Sequence, residues 1–455
     1  MTKPKTAVII LAAGASTRMK SSCAKALQPL AGRPMIEHLL EAVRGLEPER
    51  LVVVVGPEME AVAKVVAPAV TVVQEKPLGT GHAVMAARGE LKGFEGPNDV
   101  VLILCGDTPL VTRESLATLV QALNVAADDN SKTAVAVLGM RVAAPHQYGR
   151  LVTIQGGGLE AIVEDADCKP HERDNDLCNS GVMAVRAEHL FGLLEAVGND
   201  NAKGEYYFTD VVAKAREQNL TCVYREAEET ELLGINSRAE LARAEKALQR
   251  RLRAAAMEGG VTMTDPKTVW LSFDTAFGQD VTVEPNVFFG PGVRVGDGVH
   301  IRGFCHMEGV EIAADAVIGP FARLRPETKI GKAAHVGNFV EIKKSEVGKG
   351  VKINHLSYIG DARIGAAANI GAGTITCNYD GFTKSLTEIG GGAFIGSNTA
   401  LVAPVKVGKG AVVGAGSVIS RNVAADALAV TRAEQTEQAG WAADSRKRHS
   451  RSKKD

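Results

Sequence analysis

The chain has 455 residues, enough for about three domains of ordinary size, and its 45% apolar and 23% charged residues are globular values that argue against wholesale disorder. A formal net charge of −1 gives no global field to gather polyanions, which argues against a general nucleic-acid binder and leaves any phosphate to be held locally. Seven cysteines, odd in number and without a CxxC pair, indicate neither a disulfide framework nor a zinc site and suit a reducing, cytoplasmic setting.

The first predicted element is the apolar run from Ala7 to Ala13. It is too short to span a bilayer and has no secretory cleavage pattern, so it reads as a buried strand and no membrane insertion is expected. The run opens into "AAGASTRM", where Gly14 and small residues let backbone N–H groups approach phosphate oxygens ahead of a helix start. Arg18 and Lys25 follow as neutralising charges. The stretch is neither GxGxxG nor GxxxxGKS, and alone it is equally a plain strand-to-helix connection.

Further strands are predicted at "LVVVVG", "VTVVQE", "VVLILCGD" and "TAVAVLGM", each alternating with a helical pattern, which is the rhythm of a parallel α/β sheet. Asp107 ends one of these strands in "VVLILCGDTPL", where ligands of open α/β sheets bind. A carboxylate there can hold Mg²⁺ against phosphates; the competing reading is a simple Asp-Thr-Pro turn. From Asn236, "NSRAELARAEKALQRRLRAAAMEGG" reads as one capped helix. Residues 236–258 thus link a first domain, 1–235, to the rest.

Beyond the helix a six-residue period appears, in Val281, Val287, Val293 and Val299 and then in Ile312, Ile318, Leu324, Ile330, Val336 and Ile342. The phase slips by one, resumes at Val347, Ile353 and Ile359, slips again to Ile364 and Ile370, and runs on from Ile389 to Ile419. Such a period suits short strands and tight turns wound into a parallel β-helix, here over 259–440. It also accounts for the 48 glycines. The insertion Thr376–Ser385, "TCNYDGFTKS", is expected to project as a loop, and the charged segment 441–455 to be a disordered tail.

One histidine stands out. His355, in "NHLSYIGD", lies where the repeat phase slips, whereas a single histidine is ordinarily a surface or packing residue. Arg325 and Lys343 read equally as solvated charges on the face of a β-helix.

Taken together, "LAAGASTRM", "QEKPLGTGHA", "GDTPL", "YGR", "IVE", "NSG", "GEYYFTD", "GIN", "ARLRP", "VGNFVEIKKS", "HLSYIGDARIG" and "NIGAGTITCNYDG" resemble the bacterial bifunctional enzymes that act as N-acetylglucosamine-1-phosphate uridyltransferase and glucosamine-1-phosphate N-acetyltransferase in one chain. The resemblance covers nearly the whole chain except the tail. It implies a nucleotidyltransferase domain with a Rossmann-like, mostly parallel sheet, joined by the helix to a left-handed β-helix. The handedness comes from the resemblance alone.

By the same resemblance, Leu11, Ala12, Ala13, Gly14, Gln74, Gly79 and Thr80 would hold the uridine of UTP, and Arg18 and Lys25 its phosphates. Asp107 and Asn236 would ligate Mg²⁺, while Gly149, Glu164, Asn179, Tyr207 and Thr209 would line the sugar-phosphate pocket. In the second half His355 would be the acetyltransferase base, with Glu341 orienting its ring. Arg325 and Lys343 would bind the phosphate of glucosamine 1-phosphate, with Tyr358, Asn369, Asn378 and Tyr379 on the sugar. Acetyl-CoA would lie near Ala372, Asn378, Tyr379, Ser397, Ala415 and Arg432. The implied partners are these small molecules and two further copies of the chain in a homotrimer.

Three positions depart from the pattern: Ser16 stands where the family has Gly, Ala24 where it has Pro, and Cys105 where it has an aromatic residue. Crowding at Ser16 and looser packing at Cys105 are the expected consequences.

Overall fold

The β-branched runs of the first half become strands of one sheet in the computed structural model, which describes residues 5–14, 17–125, 133–143, 147–154 and 158–451. Ser16 therefore lies outside the described residues. The chain folds as two units, Met1–Arg251 and Leu252–Asp455.

In the first unit, strands β1 (Thr6–Leu11), β2 (Arg50–Val55), β3 (Val70–Val73), β4 (Val100–Cys105), β5 (Thr133–Arg141), β6 (Arg150–Thr153), β7 (Leu159–Val163), β8 (Leu177–Arg186) and β9 (Thr221–Glu226) share one sheet. Its order is β9-β5-β8-β4-β1-β2-β3, with β6 and β7 as a hairpin beside β8. Neighbours along this path are parallel except β8, which runs against both β4 and β5. Alternate residues of β1 enter opposite cores: Ala7 and Ile9 pack with Val101 and Ile103, Val8 and Ile10 with Leu102 and Leu104. A sheet buried on both faces requires such unbroken apolar runs.

The helices α1 (Met35–Arg44), α2 (Glu60–Val66), α3 (Thr80–Ala86), α4 (Arg113–Val125), α5 (Ala187–Glu195) and α6 (Val211–Glu217) connect the strands. From β1 the chain passes outward through β2 and β3, then returns across β1 to β4. The carboxyl ends of β1 and β4 thus flank a switch in strand order, the usual ligand crevice of an open α/β sheet. The long helix α7 (Arg238–Glu258) begins in a capping box. Glu240 N–H donates to Ser237 Oγ, while Glu240 Oε2 accepts from the Asn236 N–H at 2.7 Å.

The second unit stacks two- to seven-residue strands in parallel, most coils following 17 or 18 residues after the last, as in His300↔Val317 and Val317↔His335, and the coil that carries the insertion 25 residues after, as in Asn369↔Phe394. A residue of each turn points inward, so Val281, Val287, Val293, Val299, Ile318, Val336, Ile353 and Ile395 form one continuous core. This is the arrangement of the expected left-handed β-helix. On one face the outward column Arg294, Glu311, Lys329, Glu346, Arg363, Glu388, Lys406 alternates in sign at every coil. Opposite charges across adjacent strands favour this register over a slipped one.

The repeat slips have a local cause. Glu341–Val347 and Tyr358–Ile364 run continuously round a corner that other coils turn with a break, because five residues rather than six carry the chain from Ile342 to Val347 and from Ile359 to Ile364, with Lys344 and Asp361 at the bend, each at φ of 46°. The insertion is a small hairpin closed by a Tyr379–Lys384 bridge, its tip Phe382 wholly in solvent. The last segment corrects an expectation: Trp441–Arg451 is helical rather than disordered. Two alanines, Asp444 in the first turn and basic residues after it favour helix locally, although little of it is buried.

Candidate functional sites

At the switch in strand order, Leu11 through Gly14, Lys25, Gln74, Gly79, Thr80 and Asp107 line one cavity of about 380 Å³. Gly106 N–H donates to Leu11 O at 2.9 Å, which clamps the two strand ends together. Gln74 donates through Nε2 to Gly79 O at 3.0 Å and so holds the loop that precedes α3. Gly79 has φ of +107°, and a Cβ there would stand 2.6 Å from Tyr206 O. Only glycine fits on both counts.

Lys25 Nζ lies 2.6 Å from Asp107 Oδ2 and 2.9 Å from Asn236 Oδ1. Asn236 is brought there by backbone, since Ile235 N–H donates to Asp107 O at 2.9 Å and the capping box of α7 fixes the next turn. Residues more than two hundred positions apart therefore meet as a cation between two oxygens. Asn236 also lines a neighbouring cavity of about 480 Å³, and Arg18 belongs to that one. The guanidinium of Arg18 donates to Gln147 Oε1 at 3.1 Å. This differs from the expected place beside Lys25: Arg18 closes a short 3₁₀ turn, Thr17–Met19, and points across to the Gln147 segment.

The residues expected at the sugar form their own group. Thr209 Oγ1 donates to Glu164 Oε1 at 3.0 Å, and Asn179 N–H to Gly149 O at 2.8 Å. Asn179 begins a bulge in β8, where its Oδ1 accepts the Gly181 N–H. The Tyr207 hydroxyl is buried and lacks a hydrogen-bond partner among the described residues. Burial first, then the Asp167 and Glu164 carboxylates, push it up to about 12. Burial also raises Glu164 above the usual carboxylate range. Phe208 N–H donates to Thr80 Oγ1 at 2.9 Å, tying this group to the nucleotide loop.

Two departures prove mild. Ala24 has φ of −54° and ψ of 142°, close to what proline would impose, so the local shape survives the substitution. Cys105 packs its sulfur against the Gly181 bulge, 3.6 Å from Gly181 O, and burial pushes the thiol up to about 12.

In the second unit His355 is exposed and its Nδ1 lies 2.8 Å from Asn338 Oδ1. Glu341, expected to orient this ring, instead accepts from Arg325 Nη1 at 2.8 Å. The register explains the correction: Asn338 is the coil neighbour of His355, whereas Glu341 neighbours Tyr358 on another face. Asn338 was legible in principle, being one coil of 17 residues before His355.

The remaining residues divide between faces. Arg325, Glu341, Lys343, Tyr358 and Asn378 gather on one, with Lys384 of the insertion facing Lys343; that second ammonium is the largest cause lowering the pKa of Lys343. Tyr379 sits in the hairpin, its hydroxyl donating to Gly381 O. Asn369 lies instead in the sheet of His355, beside Lys352. At the corner after His355 a ladder climbs the coils. Gly373 N–H donates to His355 O, Asn398 N–H to Ala372 O, Gly416 N–H to Ser397 O, and Arg432 Nη1 to Ala415 O. Below it, Phe304, Phe321 and Phe339 stack at 4.9 and 5.2 Å between ring centres.

Comparison with known proteins accords with this division. Residues 8–168 match the MobA-like NTP transferase domain, and residues 386–421 match the bacterial transferase hexapeptide (six repeats). The chain is 58% identical over 442 residues to the bifunctional protein GlmU of Paramagnetospirillum magneticum, covering 97% of each chain. It is 60% identical to that of Rhodospirillum rubrum, over 96% of this chain and 97% of the relative. With that of Azorhizobium caulinodans it shares 52% identity over 96% of each.

Proposed function

The chain belongs to the GlmU family of bifunctional proteins, and from that membership we propose that it makes UDP-N-acetylglucosamine in two steps. Residues 259–440 would acetylate glucosamine 1-phosphate from acetyl-CoA. Residues 1–235 would join the resulting N-acetylglucosamine 1-phosphate to UTP, with 236–258 as the linking helix. The observation that carries this reading is that each half presents its own charged site, Lys25 between Asp107 and Asn236 in one, the basic face and His355 in the other.

In the first half, a phosphate oxygen of the sugar attacks the α-phosphorus of UTP, and the bond to pyrophosphate breaks. The backbone of Leu11–Gly14 and the Gly79 loop hold the nucleotide, and Glu164, Thr209 and their neighbours hold the sugar, so catalysis is mostly positioning and charge neutralisation. Two hard oxygens already converging on one ammonium suit Mg²⁺, which takes one or two such ligands beside substrate phosphates. Asp107 and Asn236 would hold it. When bound, the ion supplies neutralisation of phosphate charge and polarisation of the bonds being exchanged. Lys25 would then turn its ammonium to the same phosphates.

In the second half, Asn338 Oδ1 accepts the Nδ1 proton of His355, which leaves Nε2 bare to take a proton from the sugar amine. The amine nitrogen attacks the thioester carbonyl, the carbon–sulfur bond breaks and coenzyme A leaves. Arg325, Lys343 and Lys384 would receive the sugar phosphate. Because His355 and these cations occupy different faces of one β-helix, a pocket completed by a neighbouring copy is the natural arrangement, and we propose a cytoplasmic homotrimer. Among the described residues no helix is long and apolar enough to cross a membrane.

A single incubation tests both steps. Glucosamine 1-phosphate, acetyl-CoA, UTP and Mg²⁺ should yield free coenzyme A and then pyrophosphate. Without acetyl-CoA, pyrophosphate should appear only when N-acetylglucosamine 1-phosphate is supplied. Pyrophosphate without any coenzyme A release would reduce the second half to an assembly role.

A further inference from the structure

One carboxylate beside the basic face has no place in the mechanism above. Asp361 sits at the bend of Tyr358–Ile364 with φ of 46°, the left-handed conformation that many corners of this β-helix share. Its side chain is nearly buried, and Oδ2 accepts a 2.6 Å hydrogen bond from Asn378 Nδ2. Lys344 Nζ stands 4.0 Å from the other oxygen.

An ionised carboxylate can only accept hydrogen bonds, so it dictates which end of the Asn378 amide faces it. The NH₂ end turns to Asp361 and the carbonyl end turns away. Asn378 is 8% exposed, and among the described residues its Oδ1 has no hydrogen-bond partner. The amide shares its space with the Tyr358 hydroxyl over Gly360, where a Cβ would lie 2.5 Å from that hydroxyl and 2.9 Å from Asn378 Nδ2. Arg325, Lys343 and Lys384, on the same face, offer donors only.

We propose that Asp361 is a positioning residue for acetyl transfer, locking Asn378 so that Oδ1 accepts an N–H of the glucosamine 1-phosphate amine. The inference rests on the acetyltransferase reading above. The pocket is then divided by chemistry: donors for the phosphate, one fixed acceptor for the amine. With the amide reversed, its NH₂ group would meet the amine donor to donor. Asp361 prevents that reversal and orients the nucleophile without touching it.

Steady-state acetyl transfer by the full-length chain, with each substrate varied in turn, provides the test. A buried hydrogen bond to a charged group is worth about 1.5–3 kcal/mol, so Asp361→Ala should lower kcat/KM for glucosamine 1-phosphate by roughly 10- to 100-fold. The KM for acetyl-CoA and the rate of uridyl transfer should stay within about twofold of the parent, well inside that range. Asp361→Asn keeps the shape but no longer dictates the amide's orientation. Its loss should be intermediate, about three- to tenfold, and it decides the matter if the alanine variant fails to fold. Either folded variant at the parent level, or a loss carried by a raised KM for acetyl-CoA, overturns the inference. A parent chain that releases no coenzyme A overturns the acetyltransferase reading as well.

Discussion

Lys25, Asp107 and Asn236 illustrate how single residues were and were not readable. Each lies in a motif of fixed spacing, so their identities stood out, yet their meeting depends on the Ile235–Asp107 backbone bond that no spacing reveals. We expect Asp107→Ala to reduce uridyl transfer by about 100-fold or more while sparing acetyl transfer, because the proposed metal-assisted transfer of the uridyl group belongs to the first half alone. Following pyrophosphate and coenzyme A separately checks this. His355→Ala should lower acetyl transfer by roughly 10²–10⁴-fold, the usual contribution of a positioned base, and Asn338→Ala by about tenfold through loss of one hydrogen bond. Neither should change uridyl transfer. Asp210 offers a test of electrostatics. Its carboxyl is pushed up to about 6, first by burial and then by Glu164 and Asp167. The folded chain thus holds this proton more tightly than the unfolded one, and the associated stability is full below the ordinary value of 3.8 and lost as pH rises through about 6. Asp210→Asn should accordingly raise the melting temperature at pH 8 by roughly 2–4 °C, about 1 kcal/mol once partial exposure is discounted. Near pH 4 the thermal melt should show no gain.

Elements built on periodicity were plain in the sequence, and those built on exceptions were not. The β-helix followed from its six-residue period, but the two continuous corners at Lys344 and Asp361 registered only as slips in phase. Those slips mark where the basic face and Asn378 are assembled, so the irregularity of the repeat builds the site proposed for acetyl transfer. The Gly79 loop behaves similarly. Its glycine is one of many in the sequence, yet a Cβ there would meet the Tyr206 backbone at 2.6 and 2.8 Å. Gly79→Ala should raise the KM for UTP by about tenfold or more, from strain of 1–3 kcal/mol in the loop, while acetyl transfer stays at the parent rate. An unchanged UTP saturation curve would mean that the loop shifts freely to make room.

The chain as a whole joins two kinds of folding unit, a sheet held by contacts distant in sequence and a stack held by neighbours one coil away. Stacked repeats bury their own core, so residues 259–455 alone should fold, trimerise and acetylate glucosamine 1-phosphate, as judged by light scattering and coenzyme A release. A folded, monomeric and fully active fragment would exclude a pocket shared between copies. The corner ladder from His355 to Arg432 has a metric consequence. Adjacent strands lie about 4.8 Å apart, so four steps of the ladder separate its ends by about 19 Å. On the proposed acetyltransferase reading the coils would work as a molecular ruler: an acyl donor that puts its thioester at His355 and its charged end at Arg432 would lie extended along the stack, and a shorter thiol ester would forfeit one of the two anchors.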